Sequence, residues 1–194
     1  MESKKIEVKD LVNVGVFTLL NFVVFFVAAM TGMIPVMAIW YPLVTAFLGG
    51  IPCILFFTKI EKFGLVTIMG LLLGLSVFLI GQGWYALITG VVFGVIADSV
   101  LKAGNYKSWK NMMLAYCIFS EWIIGTQMVM YLTKDAYLEP FREQMGDEFV
   151  DSLSAMLQTW TPFAVMLGIF IVGIVGAFLG KSVLKKHFER AGIV

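Results

Sequence analysis

Long apolar stretches broken by short polar links organise the chain, and six can be marked out: about Leu11 to Gly32, Val36 to Phe57, Phe63 to Ile80, Trp84 to Leu101, Asn111 to Leu132 and Ala155 to Leu184. A helix needs about 20 mostly apolar residues to cross a ~30 Å hydrocarbon core. The pattern therefore predicts an all-α integral membrane protein, a compact bundle of six transmembrane helices forming a single domain over residues 1–194. The first four stretches are joined by only a few residues, which forces antiparallel neighbours. The last is longer than a span requires, so its first turn is expected outside the core. No internal repeat or inverted half-to-half similarity is visible, and a two-fold transporter design with half-helices meeting at the midplane finds no support.

The charges orient this bundle. Lys4, Lys5 and Lys9 precede the first stretch, Lys59 and Lys62 follow the second, Lys102, Lys107 and Lys110 follow the fourth, and Lys181, Lys185, Lys186 and Arg190 close the sixth. All twelve fall on one side of a six-span arrangement, and the other side holds only Lys134 and Arg142. The positive-inside rule then places both termini in the cytoplasm. The opening MESKKIEVKD reads as a retained tail, because no small-residue cleavage site closes the first apolar run. Residues 185–194 read as a basic cytoplasmic tail. The one long outward connection, 134–154, sets Asp135, Glu139, Glu143, Asp147, Glu148 and Asp151 against two basic residues. Phe141, Met145, Phe149 and Val150 recur there at near-helical spacing, which suggests a short amphipathic helix over the outer mouth. A solvated acidic loop is the alternative.

Composition narrows the class. Of 194 residues 60% are hydrophobic and 14% charged, against roughly 45–50% and 25% in soluble domains. Too few Lys and Arg remain to neutralise a phosphate backbone, so the expected surroundings are a lipid bilayer and no nucleic acid. Cys53 and Cys117 lie singly inside apolar stretches and His187 is the one histidine, so neither a disulfide framework nor a metal site is indicated, and no cofactor is expected. The chain contains no GxxxxGK[ST], HExxH or GxSxG pattern. It is therefore expected to be no enzyme, neither an ATPase nor a hydrolase of the common kinds.

Polar groups within the apolar stretches need a partner or a task, since a central carboxylate costs about 2.5 to 3.5 kcal/mol on insertion scales. Glu121 stands out, at the middle of the fifth stretch with Cys117 and Gly125 one helical turn to either side. Small neighbours leave room for another helix or for a ligand group, so a ligand or coupling role stands beside that of a protonated, hydrogen-bonded structural carboxyl. Asn21 lies at the same depth in the first stretch and suits either helix glue or a ligand contact. Gln82, Trp84 and Tyr85, with Trp40 and Tyr41, suit an interfacial aromatic belt or the rim of a pocket. Gln127, Tyr131 and Trp160 are placed toward the same side. Asp98 and Lys102, at i and i+4, are read as an interfacial ion pair. Gly70 and Gly74, Gly90 and Gly94, and Gly176 and Gly180 form three GxxxG pairs, for packing within the chain or for docking a further subunit.

Five segments carry a family resemblance almost end to end: DLVNVGVF from Asp10 to Phe17, GMIPV from Gly32 to Val36, KIEKFGLVTIMG from Lys59 to Gly70, ADSVLKAGNYKS from Ala97 to Ser108, and GKSVLKKHFERAGI from Gly180 to Ile193. In these the chain resembles the Trep_Strep (MptD-like) group of membrane proteins, regarded as substrate-binding S components of energy-coupling-factor (ECF) importers. The resemblance implies a subunit of the bacterial cell membrane that captures a small vitamin-like solute outside. It implies delivery inward with an ECF transmembrane coupling subunit and two cytoplasmic ATPase subunits. In such importers the S component is thought to topple within the membrane and to meet the coupling subunit through small residues of its first span, usually AxxxA. The corresponding residues here are Gly15 and Thr18, a departure from that pattern. The outer connections 30–36, 81–85 and 134–154 are the natural lid, and the expected solute contacts are Glu121, Asn21, Gln82, Trp84, Tyr85 and Gln127. Aromatic density suggests a flat heterocyclic vitamin, a cofactor precursor or a porphyrin. Two other classes compete: a proton-coupled secondary carrier or small channel with Glu121 titrating, and a scaffold using the GxxxG faces.

Overall fold

The first helix, α1 (Val8–Met30), is anchored at its start by charge. In the computed structural model, which describes residues 5–188, the Glu7 amide donates to Asp10 Oδ2 at 2.8 Å. Lys62, from a distant link, donates to the same oxygen at 2.6 Å. Val14, Phe17, Thr18, Asn21, Phe25 and Ala28 form the buried stripe of α1, at the three- and four-residue steps of one helix face. Leu19, Val23, Phe26 and Val27 stay exposed on the opposite side. A surface that apolar on a long helix is what a lipid-facing span presents.

Prolines decide the next element. Pro35 opens α2 (Pro35–Leu48), and the chain continues as α3 (Gly50–Phe57). Pro52 has no amide proton to give the Leu48 carbonyl, which explains the break at Gly49. Then come α4 (Leu65–Leu79), α5 (Tyr85–Ala103), α6 (Trp109–Ser120), a 3-10 turn at Glu121–Ile123 and α7 (Ile124–Leu132). The chain finishes with α8 (Lys134–Met145), α9 (Asp147–Met156) and α10 (Thr161–Val183). Helix α4 lies along α5, and α10 packs against α2, α3 and α6.

Five helical segments among the described residues are long and apolar enough to cross a membrane: Val8–Met33, Pro35–Phe57, Tyr85–Ala103, Trp109–Leu132 and Thr161–Lys186. The third expected span is shorter than the sequence suggests. Gly64, at φ 99°, holds the chain out of helix, and α4 has only 15 residues, about 22 Å at 1.5 Å per residue. The connection at 134–154 also differs from expectation. It is two helices, turned at Gly146 with φ 84°. The last span starts at Thr161, because Ala155 and Met156 complete α9. Of the residues used to orient the chain, Lys4 and Arg190 lie outside the described residues, as do 189–194 of the basic tail and the side chain of His187.

The glycine pairs are consumed within the chain. A Cβ on Gly70 would collide with the Gly90 carbonyl, and one on Gly90 with that of Gly70, so α4 and α5 touch backbone to backbone. Gly94 fits against Thr67 in the same seam. Gly176 and Gly180 do likewise against Ala46, Phe47 and Gly50. Small residues permit such approach where lipid offers no hydrophobic gain. All three GxxxG pairs, among the described residues, are thus packed against helices of the same chain.

Asp98 corrects the expected ion pair. It is fully buried and accepts from Val66 N at 3.3 Å, Thr67 N at 2.8 Å and Thr67 Oγ1 at 2.6 Å. The carboxyl thus caps α4, whose first amides have no local side-chain acceptor. Lys102 instead lies over the Phe63 ring, 5.5 Å from its centroid.

Candidate functional site

Helix irregularities expose backbone acceptors at the end of the bundle where α1 stops and α2 begins. Pro42, inside α2, has no amide proton for the Ala38 carbonyl one turn back. Gln127 of α7 supplies the missing donor, reaching Ala38 O at 2.9 Å and Ile39 O at 3.1 Å through Nε2. Its Oε1 accepts from the Tyr131 hydroxyl at 2.9 Å. Next to it Thr126 donates to Ile123 O at 2.7 Å, in the 3-10 turn. The Tyr41 hydroxyl lies 2.6 Å from Thr126 Oγ1. Since the Thr126 proton is already committed, Tyr41 is the donor in that pair.

Gln127, Thr126 and Tyr41 form one wall of a cavity of about 240 Å³. Ala29, Gly32 and Met33 contribute from the end of α1 and its 3-10 turn, Ala38 and Tyr41 from α2, and Gln82 from the α4–α5 link. Thr126, Gln127 and Met130 come from α7, while Tyr137, Phe141 and Met145 of α8 cover the remaining side. Met33, 71% exposed, stands at the rim. Burial pushes the Tyr137 hydroxyl above the usual tyrosine range, so it stays protonated. The hinge behind α8 is tied by Arg142, which holds Asp147 at 2.6 Å and Asp151 at 3.3 Å across Gly146. Lys134 donates to the Ser154 carbonyl at 2.7 Å, joining the start of α8 to the end of α9.

Of the six solute contacts expected from sequence, Gln82 and Gln127 meet in this cavity. Trp84 and Tyr85 stack on each other at 4.4 Å, with Trp84 51% exposed, and line no part of it. Asn21 sits deeper, donating to Phe17 O at 2.8 Å and accepting from Cys53 Sγ at 3.1 Å. It borders a void of about 10 Å³ with Thr45, Tyr116 and Ser120, room for a single water at most. Glu121 is 6% exposed and lines neither space, and its Oε2 has no hydrogen-bond partner. The small residues beside it bring helices together: Gly125 meets Ala86 and Thr89 of α5, and Cys117 meets Gly173 of α10. On α1, Gly15 is exposed with open space beyond it, whereas Thr18 is buried with an unpartnered hydroxyl.

Tyr41, Phe141 and Met145 were marked in the sequence as rim or cover. Thr126, Met130 and Tyr137 were not, although the proline at 42 is a signal for a nearby side-chain donor. No group of three or more His, Cys, Asp or Glu able to hold a metal occurs among the described residues.

A family model described as "Hypothetical bacterial integral membrane protein (Trep_Strep)" matches residues 8–190. No curated protein and no solved structure matches the chain.

Proposed function

The chain belongs to the Trep_Strep family of integral membrane proteins, and from that premise we propose that it is the substrate-binding S component of an ECF-type importer in the bacterial cell membrane. In this reading α4, flanked by interfacial residues, completes a six-span bundle with both termini in the cytoplasm. The protein captures a small vitamin-like or heterocyclic solute outside, and a coupling subunit with two ATPase subunits drives its delivery inward. It is a transport subunit and no enzyme. The observation that carries the proposal is the cavity beneath α8, with apolar and aromatic walls and a few placed polar groups, the usual make-up of a small-molecule site. Its size, about 240 Å³ and so below the roughly 300–1,000 Å³ of sites for drug-sized ligands, favours a small heterocycle over a porphyrin. Capture can drive delivery only if the solute binds the outward-open and partner-bound states with different affinity. Helix α8, which covers one side of the cavity and turns at Gly146, is the element through which that difference would act.

Glu121 supports a second reading, a proton-coupled carrier, because a buried carboxyl with an unpartnered oxygen is a candidate proton site in a membrane. Purification of the tagged chain from gently solubilised membranes, followed by native mass spectrometry, separates the two. Co-purifying ATPase subunits and a retained solute support the S component. Solute uptake by proteoliposomes driven by a pH gradient alone, and abolished by Glu121→Gln, replaces it with the carrier.

A further inference from the structure

The polar inventory of the outer cavity limits what it can hold. None of its lining residues is Asp, Glu, Lys, Arg or His. The two cations of the covering helix are committed elsewhere, Lys134 to the Ser154 carbonyl and Arg142 to Asp147 and Asp151. An ionised solute would leave water without a counter-charge, at a cost of several kcal/mol.

At the buried end, donors are used up and acceptors are not. The Gln127 amide spends both N–H groups on Ala38 O and Ile39 O. Because carbonyls only accept, this fixes which way the amide faces. Its Oε1 takes one hydrogen bond, from Tyr131, and a carbonyl oxygen has a second lone pair. The Tyr41 oxygen, having given its proton to Thr126, retains its own lone pairs. Toward the rim, the Gln82 amide and the Tyr137 hydroxyl have no side-chain hydrogen bond to other described residues. The walls between are flat or polarisable: the Tyr137 and Phe141 rings lie 5.2 Å apart, and Met33, Met130 and Met145 supply thioethers.

Building on the solute-binding reading above, we infer that this cavity takes a small, flat, largely apolar solute with no net charge, which turns an N–H or O–H donor inward to Gln127 Oε1 and Tyr41 Oη. Its outward edge pairs with Gln82 and Tyr137. Selectivity then has two independent parts. Charge is rejected because nothing in the cavity neutralises it. Inverted or donor-less analogues are rejected because the deep wall offers acceptors only.

Four indole-based probes separate these parts: indole, neutral with an N–H; 1-methylindole, neutral without one; indole-3-acetate, an anion; and tryptamine, a cation. Binding of each to the detergent-purified full chain is measured by isothermal titration calorimetry. Ala29→Phe, which fills the cavity without removing a polar group, serves as the blank for partitioning into the micelle, and Ala38→Phe repeats the test should the first variant misfold. The expected result is that indole binds the native chain and not the filled one, with each of the other three at least tenfold weaker. Indole-3-acetate or tryptamine binding as tightly as indole overturns the charge rule. Equal affinity for indole and 1-methylindole overturns the inward donor. Indole binding unchanged in both folded, filled variants places the site elsewhere and overturns the inference. Silence from all four probes up to millimolar concentration overturns the inference, while the importer reading stands or falls separately on whether ATPase subunits and a solute co-purify with the chain.

Discussion

Replacing Gly74 by alanine tests whether α4 and α5 are held by backbone contact. A Cβ at Gly74 would sit 2.7 Å from Leu87 Cα and also press on the Ala86 carbonyl. Carbon atoms pack best at about 3.5–4.0 Å, so the helices must part by roughly 1 Å, and a gap of that size forfeits about a quarter to a half of each contact well along the seam. Overpacking of this kind costs about 1–3 kcal/mol. Alanine also gains about 0.5–1 kcal/mol over glycine in a helix interior, which masks part of the loss. Gly15→Ala isolates that gain, because nothing lies within 4 Å of a Cβ at Gly15. The difference between the two variants is therefore the packing term, about 1–3 kcal/mol in favour of Gly15→Ala. Equilibrium unfolding in mixed micelles, followed by circular dichroism, reads it directly. Two variants equal within about 0.5 kcal/mol would refute the close approach of α4 and α5.

Asp98→Asn puts an amide where three donors converge on a carboxyl; a loss of about 1–3 kcal/mol and faster hydrogen exchange at Val66 and Thr67 are expected. Lys62 is held above the usual lysine range first by its hydrogen bond to Asp10, so its contribution is complete below that range and is lost as pH rises through the elevated value. Exchange protection at the start of α1 should thus be flat from pH 7 to about 10 and fall above it, and Lys62→Gln should remove the alkaline fall. Gly146→Ala forces a side chain into φ 84°, ψ 166°, costing about 1–3 kcal/mol, and limited proteolysis should show α8 and α9 loosening while the helices Thr161–Val183 and Tyr85–Ala103 stay protected.

Most of the helical segments could be read from apolar length alone, because a lipid-facing helix has no alternation to confuse with a strand. What length does not report is where such a run breaks. Pro52 and Gly49 divide one span without reducing its hydropathy, and Gly64 shortens α4 although Phe63 on its other side is apolar. Asp98 shows a second limit. Sequence spacing offered Lys102 as its partner, whereas the amides that claim it come from Val66 and Thr67, more than thirty residues away. The glycine pairs were legible as close-packing positions, but their partners were not, since which face meets which helix is a property of the assembled bundle. In the candidate site the same division holds. Gln82 and Gln127 were visible as polar residues near one end, while Glu121, the most conspicuous by cost, proves to be packed away from the cavity.

The cavity itself follows from where the helices fail to be regular. The seam between α4 and α5 is built from glycines in contact and has no room for a ligand. Away from that seam Pro42 frees a carbonyl in α2, the 3-10 turn at Glu121–Ile123 offers another to Thr126, and α1 ends in its own 3-10 turn at Thr31–Met33. Gln127 satisfies the first and Thr126 the second, and Tyr41 donates to Thr126, so the three meet in one place with their donors already spent. Backbone satisfaction, a requirement of folding in lipid, thereby fixes the hydrogen-bonding sense of the deep wall. Removing Gln127 would accordingly act twice, by orphaning the Ala38 carbonyl and by erasing an acceptor for the solute. Gln127→Glu separates the two, since it retains an acceptor but has at most one donor for the two carbonyls, Ala38 O and Ile39 O, that the amide serves. A variant that still folds yet no longer discriminates indole from 1-methylindole would show that the network, and not the oxygen alone, sets the selectivity.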